Sequence, residues 1–235
     1  MWNGSAIGAG YHTLADIAQA VQALVPASWT DVGLEWLVKA GEGGDWQSRW
    51  DTHPLAVSGP ARLAELVAEG EQLGVRVVPY VVVRGRADWL GAELDQVAAC
   101  ARVAERVVLN LEPGAQFYFN GVPSVEWVNA YFDRLGLGSS KLELCAIPRT
   151  LAASYLGGPA VMQAWLAHAS RASWECYDAA AADLSPDRAL QLVEQWGAPP
   201  GPQYRIPVVQ RSRVSAWCDS ELAGGGMEVW HLDGD

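Results

Sequence analysis

The sequence is poor in phenylalanine, histidine and cysteine, with three, four and four of them in 235 residues. Basic side chains are also scarce: 16 Lys and Arg stand against 27 Asp and Glu, a formal net charge of -11. Such a chain repels phosphate backbones, which excludes general nucleic-acid binding. The cysteines, Cys100, Cys145, Cys176 and Cys218, lie far apart with no CxxC pair, which excludes a zinc ribbon or a thioredoxin-like site. Buried, reduced thiols account for them, and a Cys145–Cys176 pair stays open. His12, His53, His168 and His231 show neither HxH nor HExxH spacing, so no metal site is expected. No P-loop, GxGxxG or GxSxG motif occurs, and no cofactor is expected. No apolar run is long enough to span a bilayer. The opening MWNGSAIGAG has neither the basic nor the long apolar region of a signal peptide. The expectation is a soluble chain without membrane partners, cytoplasmic or released by a non-classical or phage route. The sequence carries no signal for an oligomeric state.

What is there is a large potential core. Half of the residues are apolar and 18% are charged, a balance that argues against disorder. Twelve tryptophans offset the three phenylalanines. Most are expected to pack internally, but the flat, amphipathic indole is also what a sugar-binding cleft uses.

Strand-like and helix-like runs alternate from end to end. The predicted strands are Ser5–Gly10, Val32–Lys39, Val75–Val83, Arg106–Glu112, Lys141–Pro148, Ser173–Asp178, Arg205–Gln210 and Met227–Leu232. Thr13 and Asp16 form a capping-box-like start for a first helix, with Leu14, Ile17, Ala18, Val21 and Leu24 on one face. Further helices are predicted from Pro60 to Gly74, over Trp89–Ala104, from Ser124 to Gly136, within Leu151–Ala169, and from Ser185 to Gly197. A seventh, Val214–Ala223, is short or degenerate, and Ala40–Trp50 reads as a Gly-rich loop. Val75–Val83 is almost continuously apolar, as in a strand covered on both faces. Strict alternation of eight strands with helices predicts an α/β fold, a single (β/α)8 TIM barrel with parallel strands over residues 1–235. The rival is an open doubly wound sheet. That fold usually has a Gly-rich phosphate turn after its first strand, and Gly8-Ala9-Gly10-Tyr11-His12-Thr13 is not one.

A barrel works at the carboxyl ends of its strands, so polar residues there are the candidates. Glu112 in VVLNLEPG leads. Alternation puts Val108, Asn110 and Glu112 on one side and Leu109 and Leu111 on the other, toward the helices. A carboxyl group beside an amide suits a general acid with a polar partner. The alternative is a rim ion pair with Lys39, Arg84 or Arg149. In WECYD, Glu175 and Tyr177 share one face, and Asp178 either reaches the site or caps a helix. Glu175 is either a second catalytic carboxylate or half of a buried ion pair. Lys39, Glu42, Asp45 and Trp46 follow the second predicted strand; Gln210 and Trp230 end the last two. These are candidate ligand contacts, because loops at strand ends carry function.

At these residues the chain resembles chitinase-like and lysozyme-like glycoside hydrolase barrels of the family-18, family-25 and family-85 types. Asn110-Leu111-Glu112 resembles their strand-four acidic signature, with the Asn-x-Glu form found in family 85. Cys176-Tyr177-Asp178 resembles the x-Tyr-Asp ending of strand six in family-18 chitinases. The segment from Gly225 to Asp235 resembles the strand-eight segment that carries a site-floor Trp. The resemblance covers these three strand tips in the right order and implies roles for them. Glu112 would be the general acid/base, and Asn110 would orient a substrate acetamide. Tyr177 would bond its carbonyl, Asp178 would support it, and Trp230 would stack beneath the sugar. The substrate's own N-acetyl group would be the nucleophile, an exception to the two-carboxylate scheme. A two-carboxylate mechanism would instead pair Glu112 with Glu175, Glu42 or Asp233. The implied partner is a β-linked polysaccharide such as peptidoglycan or chitin. A catalytically inactive barrel that binds sugar, or builds a phage or secretion particle, is the alternative, because amides at Asn110 and Gln210 bind without titrating.

Overall fold

The computed structural model describes residues 11–23, 33–86, 88, 90–111, 123–146, 157–175, 185–204, 206–210 and 228–230. In chain order the elements are α1 (Leu14–Gln22), β1 (Leu34–Glu42), β2 (Asp45–Trp46), α2 (Pro60–Leu73), β3 (Val75–Val82), α3 (Leu90–Val103) and β4 (Val107–Leu111). They continue as α4 (Val125–Leu135), β5 (Leu142–Ala146), α5 (Pro159–Ala167), β6 (Arg171–Glu175), α6 (Pro186–Gln195), β7 (Ile206–Gln210) and β8 (Glu228–Trp230). The predicted strand Ser5–Gly10 and the predicted helix Val214–Ala223 lie outside the described residues.

The fold is α/β, with one mostly parallel sheet in the order β2-β1-β3-β4-β5-β6-β7-β8. Every neighbouring pair is parallel except the hairpin β1–β2. From β1 through β3 to β8 spatial order follows chain order, so the described helices between these strands belong on one face. The core agrees. Leu109, Leu111, Leu144, Ala146 and Trp174 join residues of all six helices, from Leu14 of α1 to Val193 of α6, in one buried cluster. Val78, Tyr80, Val82, Val108 and Cys145 form a second cluster with Leu37, and no helix residue belongs to it. The sheet therefore has a helix-covered face and an opposite face, called inner below, whose described buried cluster comes from strands alone.

Local chemistry sets the helix ends. At α1, Thr13 N–H donates to Asp16 Oδ2 at 2.9 Å while Asp16 N–H donates to Thr13 Oγ1 at 3.2 Å, a reciprocal capping box. Ser124 and Ser185 cap α4 and α6 by accepting from Trp127 N–H and Arg188 N–H. Gly136 ends α4 at φ 66°, where a side chain would be strained.

Two differences from the sequence reading bear on the site. The run Ala40–Trp50 is not simply a loop. β1 continues to Glu42, turns through Gly43 and Gly44, and returns as β2, followed by a single 3-10 turn over Gln47–Arg49. Both turn glycines have positive φ, 56° and 90°, which a tight two-residue hairpin turn requires. The sixth predicted strand, Ser173–Asp178, starts two residues earlier, at Arg171, and is described to Glu175; its predicted end, 176–178, lies outside the described residues.

The amino ends of the inner-face strands carry charge. Arg106 donates from Nε to Glu143 at 2.7 Å and from its terminal nitrogens to Glu35 at 2.9 and 2.5 Å. Arg76 also meets Glu35 at 3.2 Å, and Arg171 meets Glu143 at 3.1 Å. Glu35 is paired in register with Arg76, and Glu143 with Arg171. Cross-strand neighbours thus alternate in sign.

Candidate functional site

The carboxyl ends of the inner face hold a different set of groups. Val82 of β3 is level with Asn110 of β4, and Asn110 with Cys145 of β5. Val82 and Cys145 belong to the inner cluster, so Asn110 shares that face, while Leu109 and Leu111 pack on the helix side. Alternation within β4 thus follows the predicted pattern. On β6, Glu175 is also inward and buried, and it accepts a hydrogen bond from the Cys145 thiol at 3.6 Å. Asn110, Cys145 and Glu175 therefore form a polar arc across the ends of three adjacent strands.

A second group gathers at the ends of β1 and β3. The register of β1 against β3 slips between Lys39 and Gly41, a bulge. In an even strand, residues three apart point to opposite faces; an added residue restores them to one side. Lys39 Nζ accordingly reaches Glu42 Oε2 at 2.9 Å, and Glu42 also pairs with Arg84, just past β3. Burial alone would raise the Glu42 carboxyl. The neighbouring Lys39 and Arg84 charges and hydrogen bonds overcome it and hold the group below its usual value. Glu42 is thus a fixed anion between two cations, unsuited to donate a proton near neutrality.

The hairpin also places Asp45 and Trp46. The Asp45 side chain pairs with Arg49, and its carbonyl accepts from Gln96 Nε2 of α3 at 2.9 Å. A Cβ on Gly41 would collide with that carbonyl and that amide, which is why the hairpin has glycine there. Trp46 is half-buried against the helix-side cluster. Four residues on, Trp50 is 40% exposed, with Lys39 Nζ 5.6 Å from its ring centroid. The sequence reading did not single out Trp50. The signal that could have found it is its place in the long β1–α2 connection, which leaves the carboxyl end of β1.

Gln210 and Trp230 are level with one another at the ends of β7 and β8. Glu112, Tyr177 and Asp178 lie outside the described residues, as do Arg149, His231 and Asp233. Among the described residues, no group of three or more His, Cys, Asp and Glu is arranged to hold a metal ion. No described helix is long and apolar enough to cross a membrane.

No family model matches this sequence, and no curated protein matches it. Among solved structures, the chain is similar to the C-terminal domain of a candidate chitinase from Desulfitobacterium hafniense DCB-2, at 14% identity and a TM-score of 0.47. The match covers 86% of this chain and 64% of that one, so the chain spans under two thirds of that structure.

Proposed function

We propose that the chain is a glycoside hydrolase-type barrel that cleaves a β-linked, N-acetylated polysaccharide, with Glu112 as general acid/base. The observation that carries this reading is the inward-facing Asn110 at the end of β4. If the same alternation ran on for two residues, Glu112 would take the same side, near the arc of Asn110, Cys145 and Glu175. A carboxyl group there would meet the inner face from the end at which barrels act. Asn110 would orient the acetamide, with Tyr177 and Asp178 beside it and Trp230 beneath the sugar. Glu175 is the described carboxylate best placed to serve a two-acid variant of the scheme, since Glu42 is held by two cations.

The barrel is the matching proposal for the fold. β1 and β3–β8 supply seven parallel strands wound one way. The segment Ser5–Gly10, read as a strand, would be the eighth and would close the sheet between β1 and β8. One observation favours the sugar-binding but inactive alternative: the inward residue at position 110 is an amide, which binds without titrating.

The test is hydrolysis of chitin, peptidoglycan and their soluble oligosaccharides by the wild-type chain and by Glu112→Gln. The expected outcome is reducing-end release by wild type and its loss, by at least about 100-fold, in a folded Glu112→Gln variant. Equal turnover by the two proteins removes Glu112 from the mechanism. Oligosaccharide binding without product from wild type selects the inactive alternative.

A further inference from the structure

The β1–α2 connection is tied to itself from residue 47 to residue 57. Ser48 N–H donates to Val57 O at 3.1 Å and brings the two ends together. Trp50 N–H and Asp51 N–H both donate to Gln47 O, at 3.2 and 3.1 Å. The Asp51 carboxylate accepts from Gln47 Nε2 at 2.8 Å and from His53 N–H at 2.9 Å. Ala56 N–H donates to His53 O at 2.9 Å. Leu55, Ala56 and Val57 are buried, so backbone donors here need partners inside the protein.

Leu55 N–H finds its partner in an imidazole. It donates to His53 Nδ1 at 3.1 Å. A ring nitrogen accepts only through its lone pair, so Nδ1 carries no hydrogen and the neutral ring has its N–H at Nε2. The arrangement is that of an Asx turn, in which a side chain accepts from the N–H two residues on, with an imidazole in place of a carbonyl. An amide carbonyl keeps that role at any pH. An imidazole does not: a proton added at Nδ1 turns the acceptor into a donor and sets it against Leu55 N–H. Turning the ring over brings only a C–H to the same place. His53 Nε2 is buried and has no hydrogen-bond partner among the described residues, so a charged ring in this position leaves both of its N–H groups unmet.

We propose that His53 is an acid-sensitive latch on the β1–α2 connection. With the ring neutral, the bond to Leu55 is closed. Protonation at Nδ1 opens it, strands a buried backbone donor and loosens residues 51–57. The charged and titratable groups around the ring act in both directions. Asp51, on the same loop, attracts an imidazolium, but its two oxygens are already engaged by Gln47 Nε2 and His53 N–H. Arg62 of α2, which donates to Pro54 O at 3.0 Å, repels it. So does His12 when charged, its ring stacked on His53 with centroids 6.2 Å apart. Glu65 offsets Arg62 at 2.8 Å, and Asp16 of α1 accepts from His12 N–H at 3.1 Å. The connection leaves the carboxyl end of β1, and the turn that carries Trp50 is joined to the latch through Asp51. Mild acid thus loosens the chain at that end of the sheet, whether or not the carbohydrate reading above holds.

The test is amide hydrogen exchange of the full chain, followed by NMR at pH 7.5 and pH 5, with each rate corrected for the intrinsic rate at that pH. Protection of Leu55 N–H is expected to fall about tenfold in acid, while that of β3 and β4 holds. His53→Asn, whose side-chain carbonyl can accept from the same N–H without titrating, should be protected alike at both pH values. His53→Ala should be weakly protected at both. Nitrogen shifts of labelled histidine should show the His53 N–H at Nε2 at pH 7.5. Equal protection of Leu55 at the two pH values in wild type overturns the latch, as does an acid loss of the same size in either variant. A fall that extends equally to β3 and β4 also overturns it, because acid would then be acting on the whole fold. A His53 ring with its N–H at Nδ1 at pH 7.5 removes the acceptor on which the latch is built.

Discussion

Glu93, in the first turn of α3, shows how a buried carboxylate can be structural. It is fully buried, and its Oε2 accepts from the backbone N–H groups of Arg84 and Gly85, at 2.7 and 3.2 Å. It thereby ties the β3–α3 turn to its helix. Burial raises its carboxyl group, and these donors do not offset that, so the folded-state value lies above the ordinary one. For a carboxyl raised in the folded state, the stabilising contribution is fully present below the unfolded value. It is lost as pH rises through the folded value. Glu93→Gln keeps an acceptor but cannot ionise. The urea midpoint of Glu93→Gln relative to wild type is therefore expected to be higher at pH 8 than at pH 5. A midpoint difference that stays constant between those pH values would show that Glu93 does not titrate in this range. Neither Glu93 nor the Lys39–Glu42 contact was legible in the sequence. The first is defined by a turn nine residues away, and the second by a bulge that depends on β3. Residues whose place follows from alternation within one strand, such as Val108, Leu109, Asn110 and Leu111, were read correctly.

At the scale of elements, the helix ends were legible because their causes are local. The Thr13–Asp16 box, the Ser124 and Ser185 caps and the glycines after α2 and α4 each act within a few residues. Strand limits were less so, because a strand ends where its neighbour stops bonding to it. β1 is an example: it starts at Leu34, level with Val75 of β3, and runs on to Glu42, where it turns into the hairpin. The hairpin at Gly43-Gly44 carried the Gly-Gly signal of a two-residue turn. It was masked by the polar, glycine-rich composition around it. The cap energies lead to a direct prediction. Ser124→Ala removes the acceptor for Trp127 N–H at 3.2 Å and should cost about 1 kcal/mol. In a chain of this size that is a drop of about 2–4 °C in thermal midpoint. Ser124→Asp, which restores an acceptor at the helix start, should recover most of it. If Asp fails to recover what Ala loses, capping is not the source of the effect.

Over the whole molecule, the inner face has two ends with opposite demands. At the carboxyl end, Asn110, Cys145 and Glu175 line the ends of β4–β6, and Glu42 is held between Lys39 and Arg84. At the amino end, Glu35, Arg76, Arg106, Glu143 and Arg171 form ion pairs across five strands or strand approaches. Arg106 is the hub of this network, bridging Glu35 and Glu143. Burial disfavours its charge, yet the two carboxylates hold the guanidinium well above its ordinary value. Burial likewise raises Glu35, but the Arg106 hydrogen bond and the surrounding arginine charges bring it below the usual carboxylate range. Breaking a buried pair from one side leaves the other charge stranded, which costs about 3–5 kcal/mol. Arg106→Met should therefore destabilise strongly. Arg106→Met combined with Glu143→Leu, which replaces the central pair by apolar groups, should recover part of the loss. The pH dependence has a sign opposite to that of Glu93. A carboxylate depressed in the folded state contributes stability that is present above its unfolded value, and that contribution is lost as pH falls through the folded value. Urea unfolding between pH 6 and pH 3 should then fall more steeply for wild type than for Glu35→Gln, with the largest gap at the upper end of that range. Parallel pH profiles for the two proteins would mean that Glu35 gains nothing from Arg106 on folding, and that the amino end of the sheet is held by packing alone.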